Sequence, residues 1–265
     1  MWEPLRFGAV PNGMVIQARR LSRPPPLSLD EVSLFLDLDG TLAPIELRPE
    51  AVGPVVERST LLRELGRRSG GRLAVVSGRS LDSIDAILDG AVVAAAGVHG
   101  LERRLSDGAL VRARPHSGLG EARAALEVFA QTAPGVLVED KGLAIAVHYR
   151  QAPQARFDAL ALAERLALEL GLRLQTGDMV AELKTPGADK GDAVMAFMAE
   201  APFKGARPVF VGDDVTDEDG FAAARQLGGF GVLVGPARET AARYRLNDVP
   251  DVLDWLGQAL ETEPR

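Results

Sequence analysis

The sequence predicts an α/β protein, a doubly wound parallel sheet interrupted by an inserted α+β unit. Three observations predict it. Short apolar runs alternate with helical spacings at the start of the chain and again at its end, as in successive βαβ units with helices on both faces. Between about Leu105 and Pro186 the texture changes to strand pairs joined by short turns, the mark of an antiparallel sheet. Carboxylate, hydroxyl and ammonium side chains stand just past several of the predicted strands, at the carboxyl ends where such sheets bind ligands.

Residues 1–29 contain Pro11, Gly13 and the run Pro24-Pro25-Pro26 without clean periodicity, and read as a loosely ordered extension. The core is expected over 30–104 and 186–265, and the insert over 105–185. Val32 to Leu36 is a short apolar run and reads as a buried strand. Leu61, Leu62 and Leu65 lie at helical spacing between Thr60 and Arg68, and Gly70-Gly71 stops that helix. Leu73–Val76 is the next strand, a helix follows from about Leu81 to Leu88, and Val92–Ala96 is a third strand. In the insert, Ser106-Asp107-Gly108 reads as a hairpin turn, Glu121–Gln131 and Gln154–Leu170 as helices. Gly135–Glu139 pairs with Leu143–Tyr149, and Leu172–Gln175 with Met179–Leu183. The doubly wound pattern returns with a helix at Lys190–Met198, a strand at Pro208–Gly212, a helix at Asp217–Gln226, a strand at Gly231–Val234 and a helix at Val249–Leu260.

Composition narrows the function. The 265 residues carry 30 Lys and Arg against 37 Asp and Glu, a net charge of −7. That balance argues against general affinity for nucleic acid or an anionic membrane, and requires any anionic substrate to meet a locally positive site. No cysteine is present, which excludes a disulfide scaffold, a cysteine nucleophile and a thiolate metal site. No apolar run approaches the roughly 20 residues of a membrane helix. The N-terminus has neither a basic nor an apolar leader region, so a cytoplasmic monomer is expected.

The strand ends carry the chemistry. Asp37-Leu38-Asp39-Gly40-Thr41 follows the first strand, and alternation points Asp37 and Asp39 the same way. A plain Asp-Gly turn accounts for Asp39-Gly40 but not for Asp37, and two carboxylates this close call for a cation. Ser77 follows the second strand. Lys190 opens a helix, where a cation opposes the dipole, and a residue that breaks a local rule is a functional candidate. Asp213 and Asp214 stand at a further strand mouth, and Thr216 with Asp219 resembles a capping box. Hard oxygen ligands without His or Cys suit Mg²⁺.

With DLDGT at Asp37–Thr41, Ser77 in VVSGR, Lys190 and GDDVTDE at Gly212–Glu218 in this order, the chain resembles phosphatases of the haloacid dehalogenase (HAD) superfamily with an inserted C2-type cap. The resemblance implies that Asp37 is the nucleophile and Asp39 the acid and base, with Lys190, Thr41 and Ser77 binding the phosphoryl oxygens. It implies Mg²⁺ on Asp37, the Asp39 carbonyl and Asp213, with Asp214 and Asp217 orienting metal waters or Lys190. Gly97-Val98-His99-Gly100-Leu101-Glu102, Val138–Gly142, Val147–Arg150 and Glu182-Leu183-Lys184 narrow the resemblance to the trehalose-6-phosphate phosphatases over roughly residues 30–260. That implies Glu139, Lys141 and Glu182 as contacts to sugar hydroxyls, with Arg79 and His99 completing the pocket from the core side. His148 and Arg150 have the plainer reading of bracing the insert, and Glu182 with Lys184 that of a surface ion pair. Another sugar phosphate as substrate, a phosphomutase, or an inactive binding module are the alternatives.

Overall fold

The computed structural model describes residues 21–261. Its strands are β1 Val32–Leu36, β2 Leu73–Val76, β3 Ala94–Gly97, β4 Glu102–Arg104, β5 Leu110–Arg112, β6 Leu137–Asp140, β7 Ala144–His148, β8 Arg173–Gly177, β9 Val180–Lys184, β10 Arg207–Gly212, β11 Phe230–Val234 and β12 Tyr244–Leu246. Its α-helices are α1 Val56–Arg68, α2 Leu81–Leu88, α3 Leu119–Thr132, α4 Arg156–Leu170, α5 Lys190–Met198, α6 Glu218–Gln226 and α7 Val249–Glu261. They build an eight-stranded sheet of order β12-β11-β10-β1-β2-β3-β4-β5 and a separate four-stranded sheet of order β6-β7-β9-β8.

The large sheet is parallel from β12 to β3, and β4 and β5 continue it antiparallel. All five residues of β1 are buried, because helices cover both faces and no side chain reaches water. The faces alternate along the strands. Leu34, Leu36, Val209, Val211 and Val232 join a cluster with Leu62, Ile84 and Trp255, so α1, α2 and α7 cover that face. Phe35, Phe210 and Leu233 join Val194, Phe197 and Phe221 on the other, which α5 and α6 cover. Among the described residues no helix is long and apolar enough to cross a membrane.

The small sheet is antiparallel throughout. One of its faces packs Ile145, Val147, Ala181 and Leu183 against Leu126 of α3 and Ala159, Ala163 and Leu166 of α4. The register places Glu139, Ala146, Glu182 and Gln175 side by side across all four strands on the opposite face. That polar row is turned toward the large sheet, where Lys141 reaches the Gly78 carbonyl.

Three expectations are corrected here. Residues 21–29 are anchored rather than loose: Leu27 and Leu29 enter the core cluster, and Trp255 Nε1 donates to the Pro25 carbonyl at 2.9 Å. Three consecutive prolines discourage regular structure but do not prevent an extended chain from burying its leucines. The part of that extension before residue 21 lies outside the described residues. The large sheet runs past the expected boundary at residue 105, since β5 pairs with β4 through Glu102–Arg112 and Arg104–Leu110. The capping box near β10 is made by Asp214 and Asp217, not by Thr216 and Asp219, because a 3-10 turn at Val215–Asp217 precedes α6.

Candidate active site

β1 and β10 are adjacent and parallel, so their carboxyl ends open at the same edge. Asp37 N donates to the Val211 carbonyl at 2.9 Å, which locks the residue after β1 beside the end of β10. Asp37 is nearly fully buried, and Lys190 is buried with it. Lys190 Nζ lies 2.9 Å from Asp37 Oδ1 and 2.6 Å from Asp217 Oδ1. Burial disfavours its charge, yet Asp217 and Asp37 outweigh burial and hold the ammonium well above the ordinary lysine range. Its place at the start of α5 is further compensated by the Asp189–Asp192 capping box.

Asp37, Asp213 and Asp217 each bring a carboxylate oxygen within 4.8 Å of the others. Burial, Asp217 and Asp213 push the Asp37 carboxyl well up, against the pull of Lys190. Asp213 is pushed up to about 7 by burial and by Asp217. Asp37 and Asp217 share the Lys190 ammonium, and beside them Asp213 Oδ1 is buried without a hydrogen-bond partner. This all-oxygen, under-neutralised set fits a hard divalent cation. The sequence brings Asp37 and Asp213 to it as expected, while Asp217, expected to act farther out, stands inside the cluster. The ligand expected from Asp39 is its main-chain carbonyl, not its carboxylate. Gly40 makes the cluster sterically feasible. At φ +76°, a Cβ there would lie 2.2 Å from Asp213 Oδ2, so the Asp213 carboxylate sits where only glycine leaves room.

Asp37 and Asp39 both line one cleft, of about 990 Å³ including its open mouth. The Asp39 carboxylate is gripped by Arg79, with Nε to Oδ2 at 2.7 Å and Nη2 to Oδ1 at 2.8 Å. Ser77, Gly78, Arg79 and His99 form the core wall beside them, and Asp214 lines it as well. Thr41 is fully buried, its hydroxyl without a partner.

The opposite wall comes from the small sheet. Glu139, Lys141 and Glu182 all face the cleft. Lys141 Nζ donates to Glu182 Oε2 at 2.8 Å and to the Gly78 carbonyl at 3.0 Å. Burial pushes the Glu182 carboxyl up, but Lys141 and His99 hold it well below the usual range. Glu182 Oε1 remains buried and unpartnered. His148 Nε2 lies 2.8 Å from Glu139 Oε2. His99 is buried in a left-handed conformation, φ 55°, and packs where a Cβ on Gly78 would be 2.6 Å away. Burial lowers its pKa, against the pull of Glu182. Lys184 is fully buried and is no surface ion pair with Glu182. Its ammonium has no hydrogen-bond partner, and burial lowers its pKa.

Sequence reasoning missed Gln175, whose amide nitrogen lies 3.0 Å from His99. It also gave no cleft role to Arg150 or Asp178, which line the wall and bond to each other at 2.9 Å. Alternation along β8 puts Gln175 on one face with Arg173 and Gly177, but only strand register sets it beside Glu182.

A doubly wound core whose strand ends gather buried carboxylates around one lysine, beneath an inserted antiparallel cap, defines a phosphatase of the HAD type. The chain belongs to the trehalose-phosphatase family, whose model matches residues 35–250. It is 43% identical over 240 residues to the trehalose-6-phosphate phosphatase of Escherichia coli (strain K12), covering 89% of each chain. It is 40% identical over 210 residues to a probable trehalose-phosphate phosphatase of Sinorhizobium fredii (strain NBRC 101917 / NGR234), covering 78% of this chain and 79% of the relative. The C-terminal domain of the C. albicans trehalose-6-phosphate phosphatase shares the fold, with a TM-score of 0.79 at 22% identity, over 88% of this chain and 92% of the other. The crystal structure of a trehalose-6-phosphate phosphatase related protein gives a TM-score of 0.70 at 27% identity, over 85% and 95%.

Proposed function

We propose that the chain hydrolyses trehalose 6-phosphate to trehalose and phosphate, the last step of trehalose biosynthesis, through an aspartyl-phosphate intermediate. The observation that carries the reading is the pairing of two walls: a buried Asp37 held by Lys190 below, and Glu139, Lys141 and Glu182 above. The chemistry needs an anionic nucleophile beside a cation that also draws the phosphoryl group, and the sugar needs convergent hydrogen-bonding groups.

In this reading an Asp37 carboxylate oxygen attacks phosphorus, the bond to the sugar oxygen breaks, and Asp39 gives that oxygen a proton. Asp39 then takes a proton from the water that attacks the aspartyl phosphate, releasing phosphate and restoring Asp37. Lys190 and Ser77 hold the phosphoryl oxygens; Thr41 remains assigned there by its loop position, through the main chain rather than its buried hydroxyl. Arg79 releases Asp39 as the substrate enters and, with His99, contacts the substrate from the core. Glu182 Oε1 is a ready acceptor for a sugar hydroxyl, and the cap closes the site against water.

The divalent cation is assigned as Mg²⁺, held by Asp37, the Asp39 carbonyl and Asp213, with Asp217 and Asp214 around them. When bound it supplies charge that offsets the repulsion between nucleophile and phosphate dianion. Phosphate release should be measured from trehalose 6-phosphate, sucrose 6-phosphate and glucose 6-phosphate, with Mg²⁺ and with chelator. Trehalose 6-phosphate should be preferred and Mg²⁺ required. Preference for another ester would refute the sugar assignment and leave the phosphatase chemistry standing.

A further inference from the structure

The acidic loop that carries Asp213 and Asp217 has a tether that the chemistry above does not use. Arg238 lies in the loop after β11, the strand next to β10. Its Nη2 donates to the Asp214 carbonyl at 2.8 Å and reaches the Asp213 carbonyl at 3.4 Å. Its Nη1 pairs with Glu218, the first residue of α6, and reaches the Glu239 carbonyl at 3.2 Å. The other Glu218 oxygen accepts from Ala241 N at 2.7 Å. One guanidinium–carboxylate pair therefore stitches 213–218 to 238–241.

The consequence is geometric. The Asp213 and Asp214 carbonyls are taken by Arg238, while both residues line the cleft and the Asp213 carboxylate joins those of Asp37 and Asp217. Asp214 N is held in turn by Asp217 Oδ2 at 2.9 Å. Asp213 must also fit against the Gly40 Cα, where 2.2 Å separates a virtual Cβ from its carboxylate, so a small drift of the loop would displace its oxygen from those of Asp37 and Asp217. A lone cation this near a cation site would repel the ion, but Glu218 neutralises it.

We propose that Arg238, held by Glu218, is a positioning residue for the divalent-cation site, fixing the main chain of Asp213–Asp214 so that the Asp213 carboxylate stays on the ion. This rests on the reading that Asp37, Asp213 and Asp217 surround a cation. The pair is 26% exposed on each side, and such pairs add little to global stability. Groups that orient metal ligands from outside are typically worth about 10- to 100-fold in metal affinity. Affinity and stability therefore separate this role from a merely structural one.

The test is the binding of Mn²⁺ alone, with free ion counted by electron paramagnetic resonance, in wild type, Arg238→Met, Glu218→Gln and Asp213→Asn. Thermal midpoints of the metal-free proteins are measured alongside. Arg238→Met should bind Mn²⁺ about tenfold or more weakly, with a midpoint close to wild type. Glu218→Gln should also weaken binding, and added salt should shrink its deficit, because there the fault is an uncompensated charge. Wild-type affinity in Arg238→Met, with Asp213→Asn impaired, would overturn the proposal and leave the cation reading intact. Wild-type affinity in Asp213→Asn would remove the cation reading and the proposal together. A weakened Arg238→Met whose metal-free fold has also melted, beside a Glu218→Gln that binds normally, would mark the pair as structural and overturn the proposal.

Discussion

The two walls of the cleft solve opposite electrostatic problems. On the core wall buried Asp37 and Asp217 share Lys190, and half-buried Asp213 beside them keeps an oxygen unpartnered. On the cap wall Glu182 is matched by Lys141, and Glu139 by His148. The core wall is left short of positive charge, as a site must be that admits a cation and then a phosphate. The cap wall is nearly self-satisfied, as suits a surface that exchanges its own hydrogen bonds for those of a neutral sugar. The core wall is also the more buried, with Lys190 and Asp37 3% and 6% exposed against 20% and 30% for His148 and Glu139, so its imbalance of charge is the costlier one.

The sharpest break in that comparison comes from the nucleophile. Asp37→Asn should cut phosphate release from both trehalose 6-phosphate and p-nitrophenyl phosphate, by on the order of 10⁴-fold or more. The amide cannot attack phosphorus, and near-wild-type turnover of the purified variant would end the covalent reading. Removal of the cation comes next. Chelator should stop activity on both esters and Mg²⁺ should restore it, whereas Ca²⁺ should restore it poorly because its larger, looser shell disturbs in-line geometry. Full turnover in chelator, with metal content verified, would show that Lys190 alone suffices for the core wall.

Changes to the cap wall should be smaller and selective. Glu139→Ala and Glu182→Ala should each lower kcat/KM for trehalose 6-phosphate about 5- to 150-fold, the equivalent of roughly 1–3 kcal/mol for an unpaired buried partner. Lys141→Ala should cost at least as much, because it strands the Glu182 carboxylate without its cation. All three should barely change p-nitrophenyl phosphate hydrolysis. Equal losses on both esters would make these residues structural.

The smallest expected effect is on stability at acid pH. The folded Glu182 carboxyl is held below its ordinary value of 4.5. Below about pH 4.5 the unfolded chain takes up this proton while the folded chain does not, so stability falls as pH falls. One such group contributes at most about 1.4 kcal/mol per pH unit. Urea midpoints between about pH 3 and pH 6 should therefore fall less steeply in Glu182→Gln than in wild type. Parallel slopes would show that the Lys141–Glu182 pair is not maintained.

Most strands and helices were legible because their signals are local. An apolar run buried on both faces reads as β1 or β10 without reference to anything distant. Boundaries failed where a local signal met a tertiary contact. The prolines of Pro24–Pro26 read as looseness, yet Leu27 and Leu29 insert into the core. β12 is three residues long, too short for a periodicity, and exists because β11 offers it an edge. β5 has all three residues exposed and belongs to the large sheet only through its pairing with β4.

The amino-acid sequence alone determined the doubly wound class, the insertion, the strand-end residues Asp37, Asp39, Ser77 and Asp213, and Lys190 at the start of a helix. Each of those sits within a few residues of the element that presents it, and the parallel sheet sends all of them to one edge. Tertiary structure decided what crosses between elements. It put Asp217 against Lys190 at 2.6 Å, turned the Asp39 carboxylate onto Arg79, and buried Thr41 with its hydroxyl unpartnered. It also aligned Glu139, Ala146, Glu182 and Gln175 into one row. Strand register is set by long-range pairing, and a slip of one residue would turn every side chain of a strand to the other face. That is why the cap wall could be listed from the chain by resemblance, but its geometry came only from the fold.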